Sequence, residues 1–249
     1  MRPVLFISDL HLHESRPETS DAFFRFLQTD AGRAQALYIL GDLFEYWVGD
    51  DQLDHDPLAR RVADALAACA GHGCKVSFMH GNRDFLIGPR FADAAGLSLL
   101  PDPTTISVGH RSLLLLHGDT LCTDDVAYQQ FRRQARDPLW QRQVLSKPYP
   151  ERVALAHSLR ARSDTEKATK AEDIMDVSPI AVEAVFREHG YIEMIHGHTH
   201  RPARHVHFVD EHECVRHVLA DWHDEMHYLS TASMIGTAAF NANSLAAPT

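Results

Sequence analysis

Seven residues of this chain carry side chains that bind divalent cations, each in a short polar context. They are Asp9 and His11 in a D-x-H triplet, Asp42 after Gly41, Asn82 after Gly81, His117 before Gly118, and His198 and His200 in a Gly-His-Thr-His string. Carboxylate and amide oxygens mixed with imidazole nitrogens, without thiolate, suit Mn²⁺, Fe²⁺ or Zn²⁺ rather than Ca²⁺ with its all-oxygen shell. Seven ligands exceed one closed zinc site. They suit two ions about 3.5–4 Å apart that share a carboxylate, an arrangement that hydrolyses phosphoesters. Taken singly, each piece reads as a turn or a solvated strand end. Their joint occurrence is what points to a dinuclear site.

Residues so far apart must be gathered by the fold. Each block follows or ends a short apolar run, at 4–8, 36–40, 76–79, 113–116 and 192–195. Such runs read as strands buried on both faces. Sites in α/β folds lie at the carboxyl ends of strands, so the five loops are expected to converge on one edge of a sheet. Helical spacing occurs at 22–28 and 57–70. Ser178 followed by Pro179 predicts a helix start, with an end near His189 and Gly190. The segment 201–231 alternates, which predicts antiparallel strands. The tail after Phe240 is small and polar and is expected to fray.

Composition narrows the class. The chain has 249 residues, 45% of them hydrophobic, and a formal net charge of −10. That is enough apolar material for a core, and the acidic balance argues against a nucleic-acid partner. No run approaches the ~18 apolar residues of a membrane span. The apolar run after Arg2 breaks at Asp9, too soon for a secretory signal. Cys69, Cys74, Cys122 and Cys214 show no zinc-type spacing and read as buried, reduced cytosolic thiols.

The segment 121–175 differs from the rest. It has helical patterns and no buried-strand run. Within it, residues 126–170 hold ten Lys or Arg against four Asp or Glu, so a +6 segment sits inside a chain that is otherwise −16. Arg132, Arg133, Arg136, Arg142 and Arg152 are interleaved with Phe131, Leu139, Trp140, Val144 and Leu145. A cationic and apolar cap fits an anionic lipid or an anionic membrane surface, and fits equally an amphipathic lid packed on the core.

The ordered blocks D-x-H, GD, GN, H and GH-x-H resemble the calcineurin-like metallophosphoesterase superfamily over roughly residues 4–120 and 190–231. The resemblance implies an α/β fold, a β-sandwich flanked by helices. Residues 1–249 would form a single domain, with a helical cap inserted at about 121–175. By the same resemblance Asp9, His11 and His200 would hold one metal. Asn82, His117 and His198 would hold the other, and Asp42 would bridge them. A water activated by both cations would be the nucleophile.

One departure is informative. Many members of that superfamily carry His after the GN pair, where it can protonate an alkoxide leaving group. This chain carries Arg83. Arginine cannot serve as an acid near neutral pH, but it clamps phosphate oxygens and offsets charge developing in the transition state. A diphosphate needs no strong acid, because its leaving group departs as an anion. Arg83 therefore favours cleavage of a P–O–P bond; the alternative is a surface Arg paired with Asp84.

Longer strings extend the resemblance: ISDLHL, GDLFEYWVGDD, HGNRDFLIG, HGDTLCTDD, IMDVSP and HGHTHRP. They are similar to those of the UDP-2,3-diacylglucosamine pyrophosphatases of lipid A biosynthesis. That resemblance implies two Mn²⁺ ions and attack at the α-phosphorus of UDP-2,3-diacylglucosamine. The products would be UMP and 2,3-diacylglucosamine 1-phosphate (lipid X). It also implies a peripheral place on the cytoplasmic face of the inner membrane. Asn82 and Arg83 would contact phosphate, with His198 touching substrate as well as metal. Asp125 and Tyr128 would reach the glucosamine head, and Arg160, Ser163, Lys167 and Lys170 would hold the sugar phosphate from the cap. Apolar cap residues would line a slot for two acyl chains. The rivals are another dinuclear phosphoesterase, such as a nucleoside polyphosphatase, and a non-catalytic scaffold. His13, His80 and His196 read as structural neighbours of the ligands. His205, His207, His212, His217, His223 and His227 are expected on a solvated face of the C-terminal strands.

Overall fold

The computed structural model describes residues 2–169, 176–223 and 225–234, with side chains through residue 161 and again from 176. The tail after Phe240 lies outside the described residues. Two five-stranded sheets face each other. The first has the order β10-β1-β2-β3-β4, built from β1 (Val4–Ile7), β2 (Ala36–Leu40), β3 (Lys75–Met79), β4 (Leu97–Leu100) and β10 (Leu229–Ser230). β1 to β4 run parallel, and β10 pairs antiparallel to β1. The second has the order β5-β6-β7-β9-β8, built from β5 (Thr104–Val108), β6 (Arg111–Leu115), β7 (Glu193–His196), β8 (Ala203–Val209) and β9 (His212–Val218).

Strand side chains alternate between two cores, which explains why the runs are apolar at every position. In β1, Val4 and Phe6 face the second sheet, where they meet Leu113, Leu115 and Ile195. Leu5 and Ile7 face the helical layer, where they join Phe23, Phe26, Leu66, Phe78 and Phe91. That layer contains α1 (Pro17–Gln28), the short α2 (Gln52–His55), α3 (Pro57–Gly71) and α4 (Pro89–Ala95). On the far side of the second sheet, Leu114, Leu116 and Met194 pack on Val182 and Phe186 of α8 (Pro179–Glu188). The result is a helix–sheet–sheet–helix sandwich.

Several expectations change in detail. The loops that carry the candidate ligands leave two sheets rather than one: β1, β2 and β3 in the first, β6 and β7 in the second. Periodicity marks strands but not which sheet they join. α1 begins five residues before the helical spacing becomes visible, with Pro17 supplying its first turn. Ser178 stands at the start of α8, yet its hydroxyl makes no capping bond. The C-terminal alternation is a β8–β9 hairpin with Val206 opposite Val215. His217 departs from the solvated reading: it is buried, with Nε2 2.6 Å from Glu193 Oε1. All four cysteines are buried.

The segment between β6 and α8 carries α5 (Val126–Ala135), α6 (Pro138–Leu145) and α7 (Tyr149–Thr169). Much of its positive charge is engaged inward. Arg132 Nε donates to Asp119 Oδ2 at 2.8 Å, and Arg136 donates to the Gly81 carbonyl at 2.9 Å. Arg152 is buried and binds the Val48 carbonyl at 2.5 Å and Asp51 Oδ1 at 2.9 Å. These arginines fasten the insertion to carboxylates and carbonyls of the core instead of facing an external anion.

Candidate metal centre

All seven candidate ligands meet where strand ends of the two sheets adjoin. Backbone bonds stitch the loops together. Asp9 N–H donates to Gly41 O at 3.1 Å, His11 N–H to Asp42 O at 3.0 Å, and Gly197 N–H to His117 O at 2.9 Å. Five of the seven have positive φ: Asp9 56°, His11 48°, Asp42 53°, His198 69° and His200 54°. The left-handed region costs an L-residue with a side chain about 1–2 kcal/mol. Such strain persists where surrounding structure over-determines it, and it clusters at functional sites. Close approach demands glycine at two places. A Cβ on Gly81 would collide with Asp42 Oδ1, and one on Gly197 with Asp9 Oδ2.

The side chains form two sets on either side of Asp42. In the first, His11 Nε2 and His200 Nε2 are 3.3 Å apart, His200 Nε2 lies 3.4 Å from Asp9 Oδ1, and His11 Nε2 lies 3.9 Å from Asp42 Oδ2. In the second, Asn82 Oδ1 lies 3.1 Å from His117 Nε2 and 2.9 Å from His198 Nδ1, with His117 Nε2 3.9 Å from Asp42 Oδ1. Asp42 thus turns one oxygen to each set.

The donor chemistry fits cations. His11 Nδ1 faces Glu45 at 3.6 Å and His200 Nδ1 faces Asp221 at 3.3 Å. With protons held on those nitrogens, both Nε2 lone pairs and Asp9 Oδ1 point at one another. Asp9 Oδ2 accepts from Ser8 Oγ at 2.6 Å and from His198 N–H at 2.8 Å, while Oδ1 is buried without a hydrogen-bond partner. His117 donates Nδ1–H to the Leu40 carbonyl at 2.8 Å, so Nε2, which faces the Asn82 oxygen, is the nitrogen left for an ion. Lone pairs converging in the interior require a shared positive charge.

Electrostatics point the same way. Burial lowers the His117 pKa, but Asp42, Asp119 and Asp9 outweigh it and raise the imidazole to about 9. Burial also opposes protonation of His200, yet the Asp221 and Asp9 carboxylates beside it raise it to about 10. Burial holds His11 and His198 down at about 4. Burial would raise the Asp9 carboxyl, but the surrounding imidazoles bring it well below the usual carboxylate range.

Arg83 stands beside this centre. Its N–H donates to Asp42 Oδ1 at 2.8 Å, and its Nε is buried with no hydrogen-bond partner among the described residues. The alternative pairing with Asp84 is not the arrangement found. Asp84 is fully buried and accepts from the amides of Leu43 at 2.7 Å and Gly81 at 2.9 Å. Burial and the nearby Asp42 charge raise the Asp84 pKa to about 7.

The remaining candidates divide. Tyr128 lies with its ring 5.8 Å from that of His198 and donates its hydroxyl to Asp119 Oδ2 at 2.6 Å. Asp125 caps α5 by accepting from the Tyr128 N–H at 3.0 Å. Arg160 forms an ion pair with Glu45, the carboxylate beside His11. The side chains of Ser163 and Lys167, and Lys170 entirely, lie outside the described residues. His80 bonds the Ile87 carbonyl at 2.7 Å, and His196 is buried against Arg216 Nη1 at 3.0 Å, so both are structural. Glu45, Asp84, Asp119 and Asp221 were not legible as partners of the ligands. The first three stand two or three residues from a candidate ligand, the only signal available. Asp221 stands 21 residues past His200 and gave none.

The likenesses to known proteins agree with this geometry. The family described as calcineurin-like phosphoesterase matches residues 2–202. A protein of Aromatoleum aromaticum named UDP-2,3-diacylglucosamine hydrolase is 59% identical over 225 residues, covering 90% of this chain and 91% of the relative. Proteins of the same name from Chromohalobacter salexigens and Stenotrophomonas maltophilia are each 50% identical, covering 88% and 89% of this chain and 88% and 91% of the relatives. The chain therefore belongs to the calcineurin-like phosphoesterase family.

Proposed function

We propose that this chain hydrolyses the diphosphate bond of UDP-2,3-diacylglucosamine, releasing UMP and 2,3-diacylglucosamine 1-phosphate, a step of lipid A biosynthesis. The observation that carries the reading is the pair of ligand sets flanking Asp42, with Arg83 joined to the same carboxylate. The name shared by relatives that match about nine-tenths of the chain supports the substrate.

Asp9, His11 and His200 would hold one divalent ion, Asn82, His117 and His198 a second, and Asp42 both; the N/O donor set suits Mn²⁺, Fe²⁺ or Zn²⁺, and the resemblance to the UDP-2,3-diacylglucosamine pyrophosphatases favours Mn²⁺ among them. Two such ions supply Lewis-acid activation of water and of the phosphoryl oxygens. The protein's own part is positioning and charge. Arg83 directs its guanidinium to the phosphate and offsets the charge that grows on its oxygens. Asn82 and His198 lie beside it on the same side of Asp42, and Tyr128 walls the site next to His198. Asp125 and Tyr128 would face the glucosamine head. Arg160, next to Glu45, and the cap residues Ser163, Lys167 and Lys170 would face the sugar phosphate.

The same proposal assigns the insertion to the lipid. Val126 and Leu139 are 61% and 68% exposed. Exposed Arg133 and Arg142 lie in the same helices. Apolar side chains with cations between them suit peripheral contact with an anionic bilayer on the cytoplasmic face of the inner membrane. Among the described residues no helix is long and apolar enough to cross a membrane.

The test is UMP release from UDP-2,3-diacylglucosamine with Mn²⁺, compared with an alkyl phosphomonoester. The reading expects diphosphate hydrolysis that chelation stops and much weaker monoester turnover. Equal turnover of both substrates would count against it. Cosedimentation with phosphatidylglycerol vesicles, lost at high salt, tests the membrane assignment.

A further inference from the structure

His200 is the most exposed candidate ligand, with 38% of its side chain accessible. The other imidazoles are held from inside: His117 by the Leu40 carbonyl, and His198 among Asn82, His117 and Tyr128. An imidazole at the rim loses affinity for an ion unless something fixes its rotamer and its tautomer.

Asp221 is placed to do this. Its Oδ2 lies 3.3 Å from His200 Nδ1, on the side of the ring away from Asp9. The carboxylate is held in turn. Trp222 is fully buried, edge-on to Phe26 at 5.4 Å and to Phe23 at 6.3 Å. The Trp222 N–H donates to the Asp9 carbonyl at 3.1 Å, so the segment bearing Asp221 is bonded to the loop bearing a ligand. Arg16 Nη2 donates to the Trp222 carbonyl at 2.7 Å and contacts His223 Nδ1 at 3.0 Å. His223 Nε2 then lies 3.1 Å from the same Asp221 oxygen. The carboxylate is thus flanked by one imidazole at the centre and one at the surface.

We propose that Asp221 is a positioning residue for His200: it keeps the proton on Nδ1, aims Nε2 at the Asp9–His11 set, and raises the affinity of that set for its ion. The proposal rests on the metal reading given above. It makes the two sets unequal in their support, because His117 leans on a neutral backbone carbonyl where His200 leans on a carboxylate. A carboxylate behind a ligating imidazole strengthens it as a donor, and its loss weakens metal binding by about 10- to 100-fold.

The test uses the full chain and Mn²⁺ alone, titrated calorimetrically into the parent protein, Asp221→Ala and Asp221→Glu. The parent should take up two equivalents. Asp221→Ala should lose about 10- to 100-fold in affinity for one equivalent and keep the other. Its metal-free form should stay folded, with a melting temperature lowered only by the loss of the His200–Asp221 ion pair, and Asp221→Glu should recover part of the affinity. Superimposable isotherms for parent and Asp221→Ala would overturn the proposal and leave the metal reading standing. Equal weakening of both equivalents with a lower metal-free melting temperature would overturn it in favour of a purely structural role. Absence of Mn²⁺ uptake by the parent would overturn the metal reading itself, and the proposal with it.

Discussion

The backbone N–H of Arg83 donates to Oδ1 of Asp42 at 2.8 Å, joining the residue that would meet phosphate to the carboxylate that stands between the two ligand sets. The bond crosses from the β3 loop to the β2 loop, so two adjacent strands set the distance between the proposed substrate clamp and the proposed metal bridge. Asp42→Ala should abolish hydrolysis and reduce Mn²⁺ uptake while the chain stays folded, read by metal content and circular dichroism.

The Arg83 side chain has a separable role. Arg83→Ala should lower kcat about 10²- to 10³-fold, the cost of removing one charge-stabilising donor. Arg83→Lys should recover only part, because an ammonium lacks the planar fork. Mn²⁺ binding should survive in both. Steady-state kinetics beside a metal titration checks the split.

Gly81 exists to let Asp42 in. A Cβ there would meet the Asp42 carboxylate and its backbone nitrogen. Gly81→Ala should cost about 1–3 kcal/mol in stability, as overpacking does. It should also displace the bridging carboxylate, so activity should fall far more than stability does. Thermal melts and UMP release measure the two together.

Metal uptake should release protons. His117 and His200, raised to about 9 and about 10, are protonated at pH 7 without metal, and a ligating imidazole nitrogen must be free. The sign follows: lowering the pH strengthens proton competition, so Mn²⁺ affinity should fall steadily from about pH 9 toward pH 6. At pH 7, calorimetry in buffers of different ionisation enthalpy should show net proton release. Affinity independent of pH over that range would contradict these protonation states.

Arg152 shows where sequence reading reached its limit. Its place in a basic segment left an anion-facing surface and a lid packed on the core equally open, and it is buried on Asp51 and the Val48 carbonyl. Arg152→Ala should destabilise the protein by about 2–3 kcal/mol through lost hydrogen bonds to a charged group, read by denaturant unfolding. Composition records charge but not what it touches. Arg132, which serves Asp119, could not be told from Arg133, which is exposed.

The cluster of candidate ligands was legible because each closes an apolar run with a short polar motif, a local signal. The division into two sheets came only with the resemblance to the calcineurin-like superfamily, since β6 and β7 read like β1 to β3 until their partners are known. Asp221 and Trp222 escaped for a related reason: one acts through a ring 21 residues away and the other packs on α1, contacts no spacing encodes. His217 misled because it alternates like a surface residue while Glu193 of the neighbouring strand draws it inward.

Hydrolysis of UDP-2,3-diacylglucosamine in H₂¹⁸O with Mn²⁺, followed by mass spectrometry of both products, tests the central claim most directly. Water attack at the α-phosphorus places one ¹⁸O in UMP and none in 2,3-diacylglucosamine 1-phosphate, and chelation of the metal stops the reaction. Label in the lipid product, or hydrolysis undiminished by chelation, would contradict the account.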